Sequence, residues 1–179
     1  MGKNVILLRG WNTGGLKWKM EDLCREIELL GYGPVKAVLA TGNLLLQSEE
    51  APDKLAEIIS QKLSSLVGAK IHCLARTESE LETLLQEIKE EPLKDYNYMI
   101  LFTNYPLFDE LEELYAGFAH NDPERLVRTS SNDILWIVKK GSTLDGFGGK
   151  VLGKQKYKDK LTSRNIATVQ KIVKQLKMM

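Results

Sequence analysis

Residues 3 to 75 carry an order of hydrophobic periods that few folds accept. Residues 3 to 9 form an apolar, strand-like run. Met20, Leu23, Cys24, Ile27 and Leu30 then fall at helical spacing within 19 to 30, with Glu21 four residues before Arg25. Gly31, Gly33 and Pro34 stop that helix. Residues 35 to 41 and 44 to 48 read as strands joined by Gly42 and Asn43, a two-residue link with glycine first, as a type II′ hairpin prefers. A second helix runs from about Pro52 to Leu66, with the proline in its first turn and Leu55, Ile59, Leu63 and Leu66 on one stripe. Residues 70 to 75 close the unit as a strand. The order is β-α-β-β-α-β, the split βαβ or ferredoxin-like arrangement.

The second half continues in the same mixed style. Thr77 precedes Glu80 by three residues and then Leu81, Leu84, Leu85 and Ile88, which reads as a capping box before an amphipathic helix. A strand at 97 to 103, a helix at about 107 to 117 and strands at 124 to 129 and 133 to 139 follow. A basic, glycine-bearing segment then leads to a last helix from about Arg164. The expected fold is α+β: a ferredoxin-like unit over 1–76 packed with a smaller C-terminal α+β unit over 77–179 that ends in a basic helical tail. The sequence shows no internal repeat.

Several strands are apolar at consecutive positions, among them Val5 to Leu8 and Leu44 to Leu46. Alternation is expected where one sheet face meets water. The free face of the first sheet is therefore expected to be covered, by the second half or by another subunit. The absence of aromatics on strands 3 to 9 and 44 to 48 argues against an RNA-recognition surface.

Charge is distributed unevenly despite a formal net charge of +1. Residues 78 to 125 hold three Lys/Arg against thirteen Asp/Glu, and residues 146 to 179 hold nine against one. Such polarity bears on partners, not on fold. The two segments either neutralise each other across a contact or leave the basic tail to an anionic partner. Cys24 and Cys73 sit among apolar residues, as core thiols in a reducing compartment do. His72 and His120 lack companions at metal spacing, so no metal and no cofactor is expected. No apolar stretch of about 18 residues and no signal-peptide pattern occurs, and the expected location is cytoplasmic without membrane contact.

In a βαββαβ unit the first two strands run parallel, so the loop after the first strand meets the hairpin after the second. That end would gather Arg9, Gly10, Asn12, Thr13, Gly14, Gly15, Lys17 and Lys19 with Thr41, Gly42 and Asn43. Glycines there would let a ligand approach the backbone, next to unpaired helix amides that attract anions. The plainer alternative is a long turn, with Trp11 and Trp18 plugging the core edge. Neither the Walker pattern, whose Lys and Ser/Thr positions here hold Leu16 and Lys17, nor GxGxxG is present. At LTSRN, 161 to 165, Thr162 or Ser163 caps the last helix and Arg164 in its first turn calls for a carboxylate or a bound anion. Lys150, Lys154, Lys156, Lys158 and Lys160 form either a solvated face or a phosphate-tracking patch, with Tyr157 as its stacker. No catalytic triad or carboxylate pair is evident.

LLRGWNTGG at 7 to 15, TGNLLLQS at 41 to 48 and LTSRNIATVQKI at 161 to 172 together resemble the bacterial family catalogued as domain of unknown function 1697. Its members look like LLRGINVGG, SGNVVF and TTRNWNTV at these places. The resemblance implies a bacterial cytosolic α+β protein with a ferredoxin-like first part, and no established activity or cofactor. By position it falls on Leu8, Arg9, Gly10, Asn12, Gly14, Gly15, Gly42, Asn43, Arg164, Asn165 and Thr168. Trp11, Thr13, Ile166 and Ala167 depart from the family pattern, and the last two put a stacking role at the final helix in doubt.

The expectation is a protein that binds a phosphate-bearing or other anionic ligand, a small molecule or nucleic acid, with Arg9, Lys17 and Arg164 as charges and Asn12 and Asn43 as orienting groups. The alternatives are a small enzyme acting on a phosphorylated metabolite in the same place, and a homo-oligomer held by its acidic and basic segments.

Overall fold

The computed structural model describes residues 1–11, 18–88 and 92–179. The chain is a mixed α/β protein, with two antiparallel four-stranded sheets and six helices among the described residues. It divides into two units, Met1–Glu82 with Gln170–Met179, and Thr83–Val169. The last ten residues thus group with the first unit, although sequence order had assigned them to the second.

The first unit contains β1 (Gly2–Arg9), α1 (Met20–Glu28), β2 (Lys36–Ala37), β3 (Asn43–Ser48), α2 (Pro52–Val67) and β4 (His72–Thr77). Its sheet has the order β2-β3-β1-β4. Leu23, Cys24 and Ile27 of α1 and Leu55, Ala56, Ile59 and Leu63 of α2 are buried against Ile6, Leu8, Leu44, Leu46, Cys73 and Ala75 on one sheet face. Each such side chain withdrawn from water is worth roughly 1.5 to 3 kcal/mol. Pro52 takes the first position of α2, and Gly68, left-handed at φ 72°, ends it.

The opposite face, with Val5, Leu7, Leu45 and Leu74, is just as buried. Lys36 and Gln47 point to that face, since they pair with Leu45 and Lys3. Both reach the chain terminus: Lys36 Nζ donates to Gln175 Oε1, and Gln47 Nε2 to the Met179 carbonyl at 3.4 Å. The face is therefore covered within one chain, in part by its own last turns.

Two first-unit expectations change. β2 is two residues long instead of seven, because Leu39 adopts φ 60° and breaks the strand. The hairpin link is not the pair Gly42–Asn43. Asn43 is already in β3, paired with Leu7, and the Val38 amide donates to the Asn43 carbonyl at 2.9 Å, closing a wider loop over 38–42.

α3 (Glu78–Glu87) begins with the expected capping box: the Thr77 amide donates to Glu80 Oε2 at 2.7 Å and the Glu80 amide to Thr77 Oγ1 at 3.1 Å. Then follow β5 (Tyr96–Phe102), α4 (Phe108–Ala116), β6 (Glu124–Arg128), β7 (Ile134–Lys139), α5 (Phe147–Gly153), a 3₁₀ turn at Gln155–Tyr157, β8 (Thr162–Asn165) and α6 (Ile166–Lys177). The second sheet has the order β6-β7-β5-β8. Its core centres on Trp136, whose Nε1 donates to Glu124 Oε2 at 2.7 Å. The same carboxylate accepts the Phe147 amide at 3.1 Å and so holds the start of α5. α5 and β8 were not expected. A run with Gly146, Gly148, Gly149 and Gly153 reads as loop, but a β-carbon on Gly148 would lie 2.4 Å from the Trp136 ring, so glycine is what lets this helix lie against the indole.

The two units repeat one plan. Each has strand–helix–strand–strand–helix–strand followed by a further helix, and in each the first strand lies between the third and fourth while the second forms an edge. Arg76 lies opposite Val5 and Arg164 opposite Ile100. Each arginine stands two residues before the next helix, and the Nη1 of each donates to the preceding carbonyl at 2.8 Å.

Candidate functional site

The end of β1, through Trp11, and the hairpin before β3 do meet. β1 and β2 both run antiparallel to β3, which makes them parallel to each other, and the Leu8 amide donates to the Gly42 carbonyl at 2.8 Å. Leu7 faces Asn43 across one seam, and Arg9 faces His72 across the other. Because Ile6 and Leu8 point into the helix-covered core, Arg9 and His72 point to the opposite face, with side chains about 4.5 to 5.5 Å apart at Cβ. Gly10, at φ 84°, brings its Cα against the Lys70 carbonyl, which a β-carbon there would meet at 3.3 Å. One sheet corner thus gathers Arg9, His72 and Lys70 beside Thr41, Gly42 and Asn43. Lys70 and Thr41 are exposed, and Arg9 and His72 half-buried.

The described glycines at this corner, Gly10 and Gly42, have packing reasons. At Gly42, φ is 79°, and a β-carbon would lie 2.9 Å from the Trp11 ring and 3.0 Å from Leu8 Cβ. Trp11 and Trp18 both pack against the helix-side core. The plug of the core edge is therefore real, and Gly42 is there to receive the indole. Asn43 is fully buried and its Nδ2 donates to the Val38 carbonyl and to Thr41 Oγ1, both at 2.9 Å, so it shapes the hairpin. Asn12, Thr13, Gly14, Gly15 and Lys17 lie outside the described residues.

Arg164 and Asn165 belong to β8 in the second unit, opposite Ile100 and Met99. The helix begins after them. Asn165, not Thr162 or Ser163, supplies the cap, its Oδ1 accepting the Ala167 amide at 2.9 Å. Arg164 consequently does not oppose a helix dipole from within a first turn. It is buried, donates to Thr162 Oγ1 at 2.9 Å and to the Ser163 carbonyl at 2.8 Å, and burial pulls its pKa down to about 10, which leaves it charged at neutral pH.

Tyr157 is buried and donates its hydroxyl to Glu110, so it is no stacking platform. Lys156 pairs with the same carboxylate at 2.7 Å, and Lys177 with Glu82 at 2.6 Å. The acidic and basic segments therefore neutralise each other in part within the chain. Burial pushes the thiol of Cys24 up to about 11 and that of Cys73 up to about 12, which keeps both protonated and unreactive. Among the described residues no group of three or more His, Cys, Asp or Glu is placed to hold a metal ion, and no helix is long and apolar enough to cross a membrane.

Sequence reading missed His72 and Lys70 as members of this corner. The signal was present: a fourth strand antiparallel to the first places its opening residues beside the first strand's end.

The chain superimposes on the conserved bacterial protein SP0830 from Streptococcus pneumoniae with a TM-score of 0.70, at 22% identity and over 99% of each chain, so the two share a fold. No curated protein matches it. Residues 1–130, which include the LLRGWNTGG and TGN stretches of sequence, match the family described as "Protein of unknown function (DUF1697)". The chain belongs to the DUF1697 family.

Proposed function

We propose that this protein binds a phosphate-bearing anionic ligand at the first-unit corner, on a pair of ferredoxin-like units. The strand order β2-β3-β1-β4 and its counterpart β6-β7-β5-β8 support the ferredoxin-like reading of both units. The observation that carries the binding reading is the convergence of Arg9, His72 and Lys70 on neighbouring strand ends beside the Thr41–Asn43 hairpin. An arginine in such a place offers bidentate donors to a phosphate. At Gly10 and Gly42 the ligand approaches from side chains, since both glycines are committed to packing. Two free, buried thiols suit a reducing compartment and support a cytoplasmic location.

A thermal-shift series with inorganic phosphate, sugar phosphates and their unphosphorylated counterparts tests this. Ligand at about 100 times its dissociation constant adds roughly 2.7 kcal/mol. For a chain of this size that raises Tm by about 5 to 10 °C. The shift is expected with phosphorylated compounds alone and is lost in Arg9→Ala. An equal shift in Arg9→Ala would refute the site.

A further inference from the structure

The repeated plan carries the corner into the second unit. With Arg76 and Arg164 as matching positions, four residues earlier lie His72, the first residue of β4, and Lys160, the last residue of the turn over 158–160 that leads into β8. Four residues beyond the matching Val5 and Ile100 lie Arg9 and Asn104, and the next are Gly10 and Tyr105. The hairpin residues Gly42 and Asn43 match Asn132 and Asp133 in the same way, through Leu45 and Leu135.

The matching corner is built to the same design with different residues. Asp133 is 3% exposed and its Oδ1 accepts the Thr103 amide at 3.0 Å, holding the β5 end to the hairpin as the Gly42 carbonyl holds Leu8. Asn132 Nδ2 donates to the Asn104 carbonyl at 3.1 Å. Tyr105 is 46% exposed, and the Lys160 ammonium lies 5.5 Å from its ring centre. Lys158 is exposed in the turn before β8. Carboxylates are close by in sequence or space: Glu87 accepts from Ser130 at the hairpin tip, and Asp159 separates the two lysines.

We infer that this second corner is a separate binding site for a nucleotide unit, with the base stacked on Tyr105 and the phosphate at Lys160 and Lys158. The aromatic face accepts any base without hydrogen-bond readout, and Lys160 beside it, with Lys158 two residues earlier in the same turn, neutralises one phosphate. The Lys160 ammonium lies over the ring, and its turn from the ring face to the phosphate opens that face to the base. The inference stands apart from the first-unit site and does not require it. The nucleotide is supplied either free or as part of a single strand.

The test is titration calorimetry of the full chain with adenosine 5′-monophosphate, adenosine and a six-nucleotide deoxyadenosine strand, using Tyr105→Ala, the double variant Lys158→Ala/Lys160→Ala, and Arg9→Ala. Tyr105→Ala weakens monophosphate binding at this site roughly 5- to 150-fold. The lysine variant weakens the monophosphate but not adenosine. Arg9→Ala leaves this site intact, so a failed first-unit site gives one binding event that still depends on Tyr105. Tighter binding of the strand identifies strand as the source, and equal or weaker binding identifies free nucleotide. Monophosphate binding that is absent, or indifferent to Tyr105→Ala in a variant with unchanged melting, overturns the inference.

Discussion

Replacing Gly42 with alanine isolates the contact that shapes the candidate site. The residue sits at φ 79°, and the added carbon would stand 2.9 Å from two Trp11 ring atoms and 3.0 Å from Leu8 Cβ. Left-handed backbone costs a non-glycine residue about 1 to 2 kcal/mol. Forcing a methyl into a filled space costs about 1 to 3 kcal/mol more. The expected loss is therefore about 2 to 5 kcal/mol. Gly68 provides the control, because it is left-handed at φ 72° in the same unit but has nothing within 4 Å of an added carbon. Gly68→Ala should thus lose only the backbone part, about 1 to 2 kcal/mol. Urea denaturation followed by tryptophan fluorescence measures both. The cost of Gly42→Ala should shrink in a Trp11→Ala background, with a coupling of about 0.5 to 3 kcal/mol. Equal losses for Gly42→Ala and Gly68→Ala, with no coupling to Trp11, would refute the claim that the indole packs on this glycine.

Other expectations concern the second unit and the helix starts. Glu124→Ala leaves the Trp136 Nε1 and the Phe147 amide without their acceptor and should cost about 2 to 5 kcal/mol in chemical denaturation, with Glu124→Gln losing less. His120 has Glu124 Oε1 at 2.5 Å from Nδ1 and the Tyr115 carbonyl at 2.9 Å from Nε2, so both ring nitrogens face acceptors. Burial is the largest single influence and lowers its pKa, but the hydrogen bonds to Glu124 and Tyr115 together raise it above the ordinary 6.5. Its contribution is then fully present below pH 6.5 and is lost as pH rises through the raised folded value, a slope that His120→Gln should flatten in melting curves. Thr77→Ala removes one side of the α3 capping box and should cost about 0.5 to 2 kcal/mol by the same denaturation assay.

The first unit was legible because its periods, its capping residues and Pro52 all agree with one arrangement. The meeting of the β1 end with the Thr41–Asn43 hairpin followed from chain direction alone. β2 was misjudged because Leu39 gives no warning in sequence of a left-handed backbone. α5 and β8 were hidden for opposite reasons. Glycines that serve the Trp136 contact look like loop residues, and the four residues Thr162–Asn165 read as the cap of the helix that follows them. The repeat was invisible because matching positions hold different residues, Arg9 against Asn104 and Gly10 against Tyr105, while strand order and the two arginines keep the plan.

Backbone amide chemical shifts recorded while phosphate and then adenosine 5′-monophosphate are added to the labelled protein test the first-unit site most directly. The account predicts saturable shifts at Arg9, Gly10, Thr41 to Asn43, Lys70 and His72, absent in Arg9→Ala. Shifts confined to other surfaces, or unchanged by Arg9→Ala, would contradict it.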